Sequence, residues 1–195
     1  RLRRSAQALY RLTPVAAPTS GVLIRDATDG DLDAIAALYA REVVDGVATY
    51  EYDAPDSDEM RRRWATLRQA GFPYLVAELD GRFAGYAYAG SFRARIGYRF
   101  TVESSVYVVP ALHGQGVGRR LMDALIESCA QRGFRQMIAV IGPPQDGPSV
   151  RFHARLGFET VGVLPGSGRK HGRWLDTILM QRALGAGATT PPEDE

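Results

Sequence analysis

Val102-Glu-Ser-Ser-Val-Tyr-Val-Val-Pro-Ala-Leu-His-Gly-Gln-Gly-Val-Gly-Arg-Arg-Leu121 contains, in succession, a strand, a glycine turn and a helix start. Residues Val102 to Val109 are mostly β-branched or aromatic and suit a pleated strand. Pro110 ends it, because proline cannot donate to a ladder. The run Gly114-Gln115-Gly116-Val117-Gly118 leads straight into an amphipathic helix. Val117, Leu121, Leu125 and Cys129 recur every fourth residue along one helical face, and Gly133 stands where a helix C-terminal glycine belongs. Such an arrangement makes an anion site. Glycines allow close backbone approach, the first helical N–H groups point outward, and the helix dipole favours phosphate.

The turn is not a P-loop, because Arg119 and Arg120 follow Gly118 where Lys-Ser/Thr would be required. Nor is it a dinucleotide fingerprint, because Arg119 stands where the third glycine of that pattern would fall. With its flanking strand and helix, the stretch resembles the pyrophosphate loop of the GNAT acyltransferases, whose pattern is Arg/Gln-x-x-Gly-x-Gly/Ala. His113 occupies the first position, a departure. The resemblance implies an α/β GNAT acyl-CoA N-acyltransferase fold with a mixed, mostly antiparallel central sheet flanked by helices. It also implies acetyl-CoA as co-substrate and no metal. The pyrophosphate is expected over the N–H groups of Gly114, Gln115, Gly116, Val117, Gly118 and Arg119. Val106, Tyr107, Val108 and His113 are expected to face the same molecule.

Chain length and composition agree with a soluble domain. At 195 residues the chain can build one substantial core. A net charge of +2 gives no reason to expect nucleic acid, and no apolar run has the length of a bilayer span. Cys129 is the only cysteine, which fits a reducing cytoplasm; its place on the apolar helix face makes it a core residue. Lys170 is the only lysine.

Residues 1–20 carry arginines without a sustained apolar core, so a disordered leader is expected rather than a signal peptide. The domain should then run over 21–184. Val22 to Ala27 reads as a strand, and Thr28 with Asp31 as a helix cap. Leu32, Ile35, Ala36, Tyr39 and Val43 form a helical stripe that ends at Gly46. Asp56 and Glu59 should cap a second helix through Trp64 and Leu67. Asp80-Gly81 marks a tight hairpin between Tyr74–Leu79 and Phe83–Gly90. Gln136 to Ile141 is a continuous apolar run, as for a strand buried on both faces. A short helix over Ser149–Leu156 follows. Two strands, Phe158–Leu164 and Trp174–Gln181, are predicted with a loop over 166–172 between them. The small, acidic segment 185–195 reads as a disordered tail. The order β-α-α-β-β-β-α-β-α-β-β describes an α/β domain around a mixed sheet.

Four further stretches narrow the resemblance. They are Tyr98–Val109, Ile138–Gly142, Ser149–His153 and Lys170–Asp176. In this order they resemble the phosphinothricin acetyltransferase branch of GNAT, which includes enzymes acting on methionine sulfone and sulfoximine. The branch implies transfer of acetyl to the α-amino group of a small amino-acid analogue, in a homodimer. It also places a general base at Glu103. An amine attacks a thioester only when neutral, and an α-amino group of pKa roughly 8 is about nine-tenths protonated at pH 7. Period two places Glu103, Ser105 and Tyr107 on one strand face. A carboxylate in so apolar a strand is costly unless used or paired; the alternative reading is an ion pair with Arg95 or Arg99.

His153 falls where this branch has the residue expected to serve the departing thiolate; a packed, hydrogen-bonded histidine is the alternative. Arg93 and Arg95 match arginines expected to bind the acceptor's anionic group, which the planar guanidinium fork suits. Tyr50 and Tyr98 match aromatic pocket positions, although the herbicide enzymes have Phe at the first. Gln145 stands where the family has an Asn that binds the pantetheine arm, and the loop from Gln145 to Ser149 is one residue longer. Trp174 reads as a core residue. Two competing functions are a GNAT enzyme for polyamines or protein N-termini, and a non-catalytic acyl-CoA sensor. Arg93 and Arg95 argue against polyamines, while Glu103 and His153 argue against the sensor.

Overall fold

A computed structural model describes residues 21–192; the leader expected over 1–20 lies outside them. The strands are β1 (Val22–Asp26), β2 (Tyr74–Leu79), β3 (Arg82–Ser91), β4 (Thr101–Val108), β5 (Gln136–Ile141), β6 (Glu159–Lys170) and β7 (Arg173–Ala183). The helices are α1 (Leu32–Asp45), α2 (Ser57–Gln69), α3 (Val117–Gln131) and α4 (Pro148–Arg155). One sheet carries all seven strands in the order β1-β2-β3-β4-β5-β7-β6. Only β4 and β5 run parallel, as expected for a mixed, mostly antiparallel sheet.

Capping chemistry fixes the helix ends. Thr28 and Asp31 form the expected capping box ahead of α1. Asp56 accepts from the Glu59 N–H at the start of α2. Gly133 ends α3 with φ near 83°, and the Phe134 N–H reaches back to Cys129 O. Two apolar layers clothe the sheet. The face bearing Val102, Ala87 and Ile178 packs against Val117, Leu121, Leu125 and Cys129 of α3. Tyr74, Val76 and Tyr86 on the other face pack against Leu32, Ile35, Tyr39 and Val43 of α1 and Met60 of α2. Burial pushes the Cys129 thiol up to about 12, which makes it an inert core residue.

Four local expectations are corrected. The predicted loop over 166–172 is mostly strand. β6 runs to Lys170, and the reversal is only His171-Gly172, both at positive φ. The Pro165–Ser167 segment is absorbed as an irregularity, with Gly166 N–H on Asp176 and Ser167 on Thr177. Trp174, read as core, is 69% exposed on this hairpin. In β5, Val140 is open to solvent, because α1 and α2 cover the β1–β4 half of the sheet and leave that face of β5 bare. Finally, residues 185–190, assigned to a loose tail, are turned and held. Arg135 donates to the carbonyls of Gly187 and Thr190.

Candidate active site

The site begins where β4 and β5 part. Their ladder covers only Thr101–Ser104 against Gln136–Ala139. β4 continues to Val108 beside β3, and β5 continues to Ile141 beside β7. Each strand therefore keeps its outer neighbour while the two separate, leaving the β5-facing edge of β4 beyond Ser104 without a ladder partner. The cleft that opens there holds about 380 Å³. Its walls include Glu103, Ser105, Val106 and Tyr107 from β4, Ala139–Ile141 from β5, and Ser149 and His153 from α4. Val47, Ala48, Thr49 and Tyr50 from the α1–α2 connection form another wall.

Beyond β4 the glycine turn is arranged as an anion cradle. Gly116 caps α3 at φ 83°, in the left-handed region that strains residues bearing a Cβ. The N–H groups of Val117, Gly118 and Arg119 have no carbonyl one turn back. Gly118 serves packing: a Cβ there would lie 3.3 Å from Val108 and 3.5 Å from Phe152. Two expected phosphate contacts are engaged within the chain. Gln115 N–H donates to Leu112 O, and the His113 ring bonds the Val108 carbonyl at 3.0 Å.

Glu103 is half-buried at the point of divergence, paired in register with Gly90 on one side and Ile138 on the other. Burial pushes its carboxyl pKa up, and no charged partner among the described residues contributes. An ion pair with Arg95 or Arg99 therefore finds no support. Tyr88 lies close enough to feel the Glu103 charge and pairs in register with Ser105 of β4. Behind this wall stacks a set of tyrosines. Tyr86 lies 5.0 Å from Tyr107 and Tyr74 lies 4.9 Å from Tyr88, centroid to centroid. The Tyr39 hydroxyl bonds with Thr49 and donates to Glu51.

His153 is 5% exposed and flanked edge-on by Phe152 and Phe158. Its Nδ1 lies 2.8 Å from Ser149 O. A carbonyl only accepts, so the ring proton sits on Nδ1. Burial lowers the ring pKa, which favours a neutral imidazole whose Nε2 accepts a proton.

Other predicted residues are placed less centrally. Tyr50 lines the cleft, but its hydroxyl donates to Asp176 O and its ring covers Gly168. Arg93, Arg95 and Tyr98 lie on the exposed β3–β4 connection, outside the cleft walls. Arg93 stacks over Phe92 and Tyr98. Because Ser91 pairs with Val102, this connection leaves the sheet at the Glu103 end. Gln145 is exposed and also outside the cleft. Sequence reasoning missed Thr49, Tyr39, Tyr88 and Lys170. Their only signal was polarity within apolar or irregular stretches, and they meet only in the fold.

No group of His, Cys, Asp and Glu able to hold a metal occurs among the described residues. No helix among them is long and apolar enough to cross a membrane.

A strand pair that parts over a glycine-headed helix, with a carboxylate at the fork, defines an acyl-CoA-dependent acyltransferase. Residues 24–179 match the acetyltransferase (GNAT) domain, and the chain belongs to that family, as an acetyl-CoA-dependent N-acetyltransferase. Within it, the chain is 51% identical to the phosphinothricin N-acetyltransferase of Alcaligenes faecalis, over 87% of this chain and 86% of that one. It is 41% identical to the L-methionine sulfoximine/L-methionine sulfone acetyltransferase of Salmonella typhimurium, over 83% of this chain and 94% of that one. The crystal structure of a phosphinothricin acetyltransferase from Sinorhizobium meliloti in complex with AcCoA superposes with a TM-score of 0.85 at 46% identity. That match covers 89% of this chain and 94% of the other.

Proposed function

We propose that the protein transfers acetyl from acetyl-CoA to the α-amino group of a small amino-acid analogue of the phosphinothricin, methionine sulfone or methionine sulfoximine type. One observation carries the proposal: the half-buried Glu103 carboxylate, without a charged partner among the described residues, at the fork between β4 and β5. A carboxylate whose pKa is raised toward neutrality is a better match for taking a proton from an ammonium group. The relatives' printed activities supply the acceptor class.

Acetyl-CoA would lie along the unpaired edge of β4 beside Val106, Tyr107 and Val108. Its pyrophosphate would rest on the N–H groups of Gly114, Gly116, Val117, Gly118 and Arg119. Glu103 accepts the amine's proton, directly or through water, and the nitrogen attacks the thioester carbonyl. His153 faces the same cleft as a neutral ring. Its Nδ1–H is held by Ser149 O, so its free Nε2 takes the proton that the attacking nitrogen sheds and passes it to the departing thiolate. Arg93 and Arg95 leave the sheet at the Glu103 end and bind the acceptor's oxygen-rich terminus; Tyr50 and Tyr98 flank it. Gln145 reaches the pantetheine arm only if its loop folds inward.

A homodimer in the cytoplasm completes the reading. It is supported by the exposed apolar side chains of Trp174 and Leu164 on the β6–β7 hairpin, and analytical ultracentrifugation tests it. The activity itself is tested by incubating acetyl-CoA with a panel of amino acids and analogues and measuring free CoA. Turnover with phosphinothricin or a methionine sulfone or sulfoximine is expected. CoA release with polyamines or N-terminal peptides alone would overturn the acceptor class.

A further inference from the structure

The only lysine of the chain is buried, and the catalysis proposed above does not use it. Lys170, at the end of β6, is 2% exposed. Its ammonium group donates to Thr49 O at 2.7 Å and to Glu42 O at 3.3 Å. Thr49 lines the cleft, and Glu42 lies in the last turn of α1, just ahead of the segment that carries Thr49. A charge held by two carbonyls in so enclosed a place costs desolvation. The two bonds offset part of that cost and tie the end of β6 to the chain at and after the end of α1.

What they organise is residues 46–52, which have no helix or strand of their own. The neighbouring hairpin residues grip the same segment. His171 bonds Gly46 O at 3.1 Å, and the Tyr52 hydroxyl donates to Arg169 O at 2.6 Å. Tyr50 donates to Asp176 O further down the hairpin. Two glycines allow the segment to lie this close: a Cβ at Gly168 would fall 2.2 Å from the Tyr50 ring, and one at Gly142 would fall 2.5 Å from Val47 O.

We infer that Lys170 is a positioning residue: through the β6–β7 hairpin it fixes residues 46–52 as the acceptor-side wall of the cleft, and so sets acceptor affinity without touching acetyl-CoA. The inference rests on the proposed acetyl transfer for its kinetic consequence and on geometry alone for its structural one. Thr49 is held on two sides, by Lys170 through its carbonyl and by Tyr39 through its hydroxyl. Cutting the first tie frees the segment while leaving α3 and its glycine turn untouched.

The test compares wild type with Lys170→Met in the full chain, by amide hydrogen exchange and steady-state kinetics. Exchange across residues 46–52 should quicken about tenfold or more, with α3 unchanged. The acceptor KM should rise about tenfold, with that for acetyl-CoA within about twofold. If Lys170→Met fails to fold, the His171→Ala/Tyr52→Phe double variant cuts two exposed ties and should quicken exchange in the same segment about threefold. Exchange over 46–52 equal to wild type in a folded variant would overturn the inference. So would faster exchange with an unchanged acceptor KM. If the wild type acetylates no amino acid, the acceptor class fails, and the exchange experiment still decides the tie.

Discussion

Replacing Glu103 by Gln keeps the shape of the side chain and removes its ability to accept a proton at neutral pH. At pH 7 about one-tenth of an α-amino group of pKa roughly 8 is already neutral, so residual turnover is expected. General-base catalysis contributes on the order of a hundred- to ten-thousandfold. A hundredfold loss corresponds to about 2.7 kcal/mol of barrier. Raising the pH to 9 makes the amine about nine-tenths neutral and should recover roughly tenfold of the loss, which wild type would not show.

Stability should move the other way. Burial raises the folded-state pKa of Glu103, so its contribution is fully present below the unfolded value and is lost as pH rises through the folded one. At pH 7 the buried carboxylate therefore costs stability, and Glu103→Gln should melt at or above the wild-type temperature. The assay is free-CoA release from pH 6 to 9 alongside calorimetric melting. Wild-type turnover across that range would remove Glu103 from the mechanism. Lost activity together with a lowered melting temperature would make Glu103 structural.

At the glycine turn, Gly116→Ala places a Cβ residue at positive φ and should cost about 1–2 kcal/mol of stability, measured by urea denaturation. Gly118→Val drives its side chain into Val108 and Phe152. It should weaken CoA binding in titration calorimetry, and unchanged affinity in both variants would place the pyrophosphate elsewhere. Arg95→Lys should raise the acceptor KM about tenfold or more, since a charged hydrogen bond is worth about 1.5–3 kcal/mol. Equal activity of an Arg93/Arg95 double alanine variant on every accepted analogue would sink anion recognition by this connection. Acid stability gives a separate check. Arg25 holds the Asp31 carboxyl at about 2, so this pair's contribution is present above the unfolded value near 4 and is lost as pH falls toward 2. Asp31→Asn should remove on the order of 1 kcal/mol of that dependence after solvent screening, read from melting temperatures between pH 5 and 2.

Local chemistry made much of the fold readable from the sequence. The alternation in Val102–Val109, the glycines before Val117 and the four-residue spacing to Cys129 each report a backbone state that neighbouring residues alone enforce. The caps at Thr28 and Asp56 and the Asp80-Gly81 turn did the same for α1, α2 and the β2–β3 hairpin. Glu103 stood out because a carboxylate in an apolar strand needs a reason. Tertiary structure decided the rest. No local signal says that β4 and β5 pair for four residues and then part, because each strand follows an outer neighbour distant in sequence. The segment 166–172 looked like a loop by composition. It became strand by pairing with Arg173–Leu175 across the His171-Gly172 reversal, and Tyr50 on Gly168 and Lys170 on Thr49, more than a hundred residues apart along the chain, anchor that hairpin. The protonation of His153 was likewise set by the Ser149 carbonyl one helical turn away and by the aromatic rings that enclose it, which only the folded chain brings together.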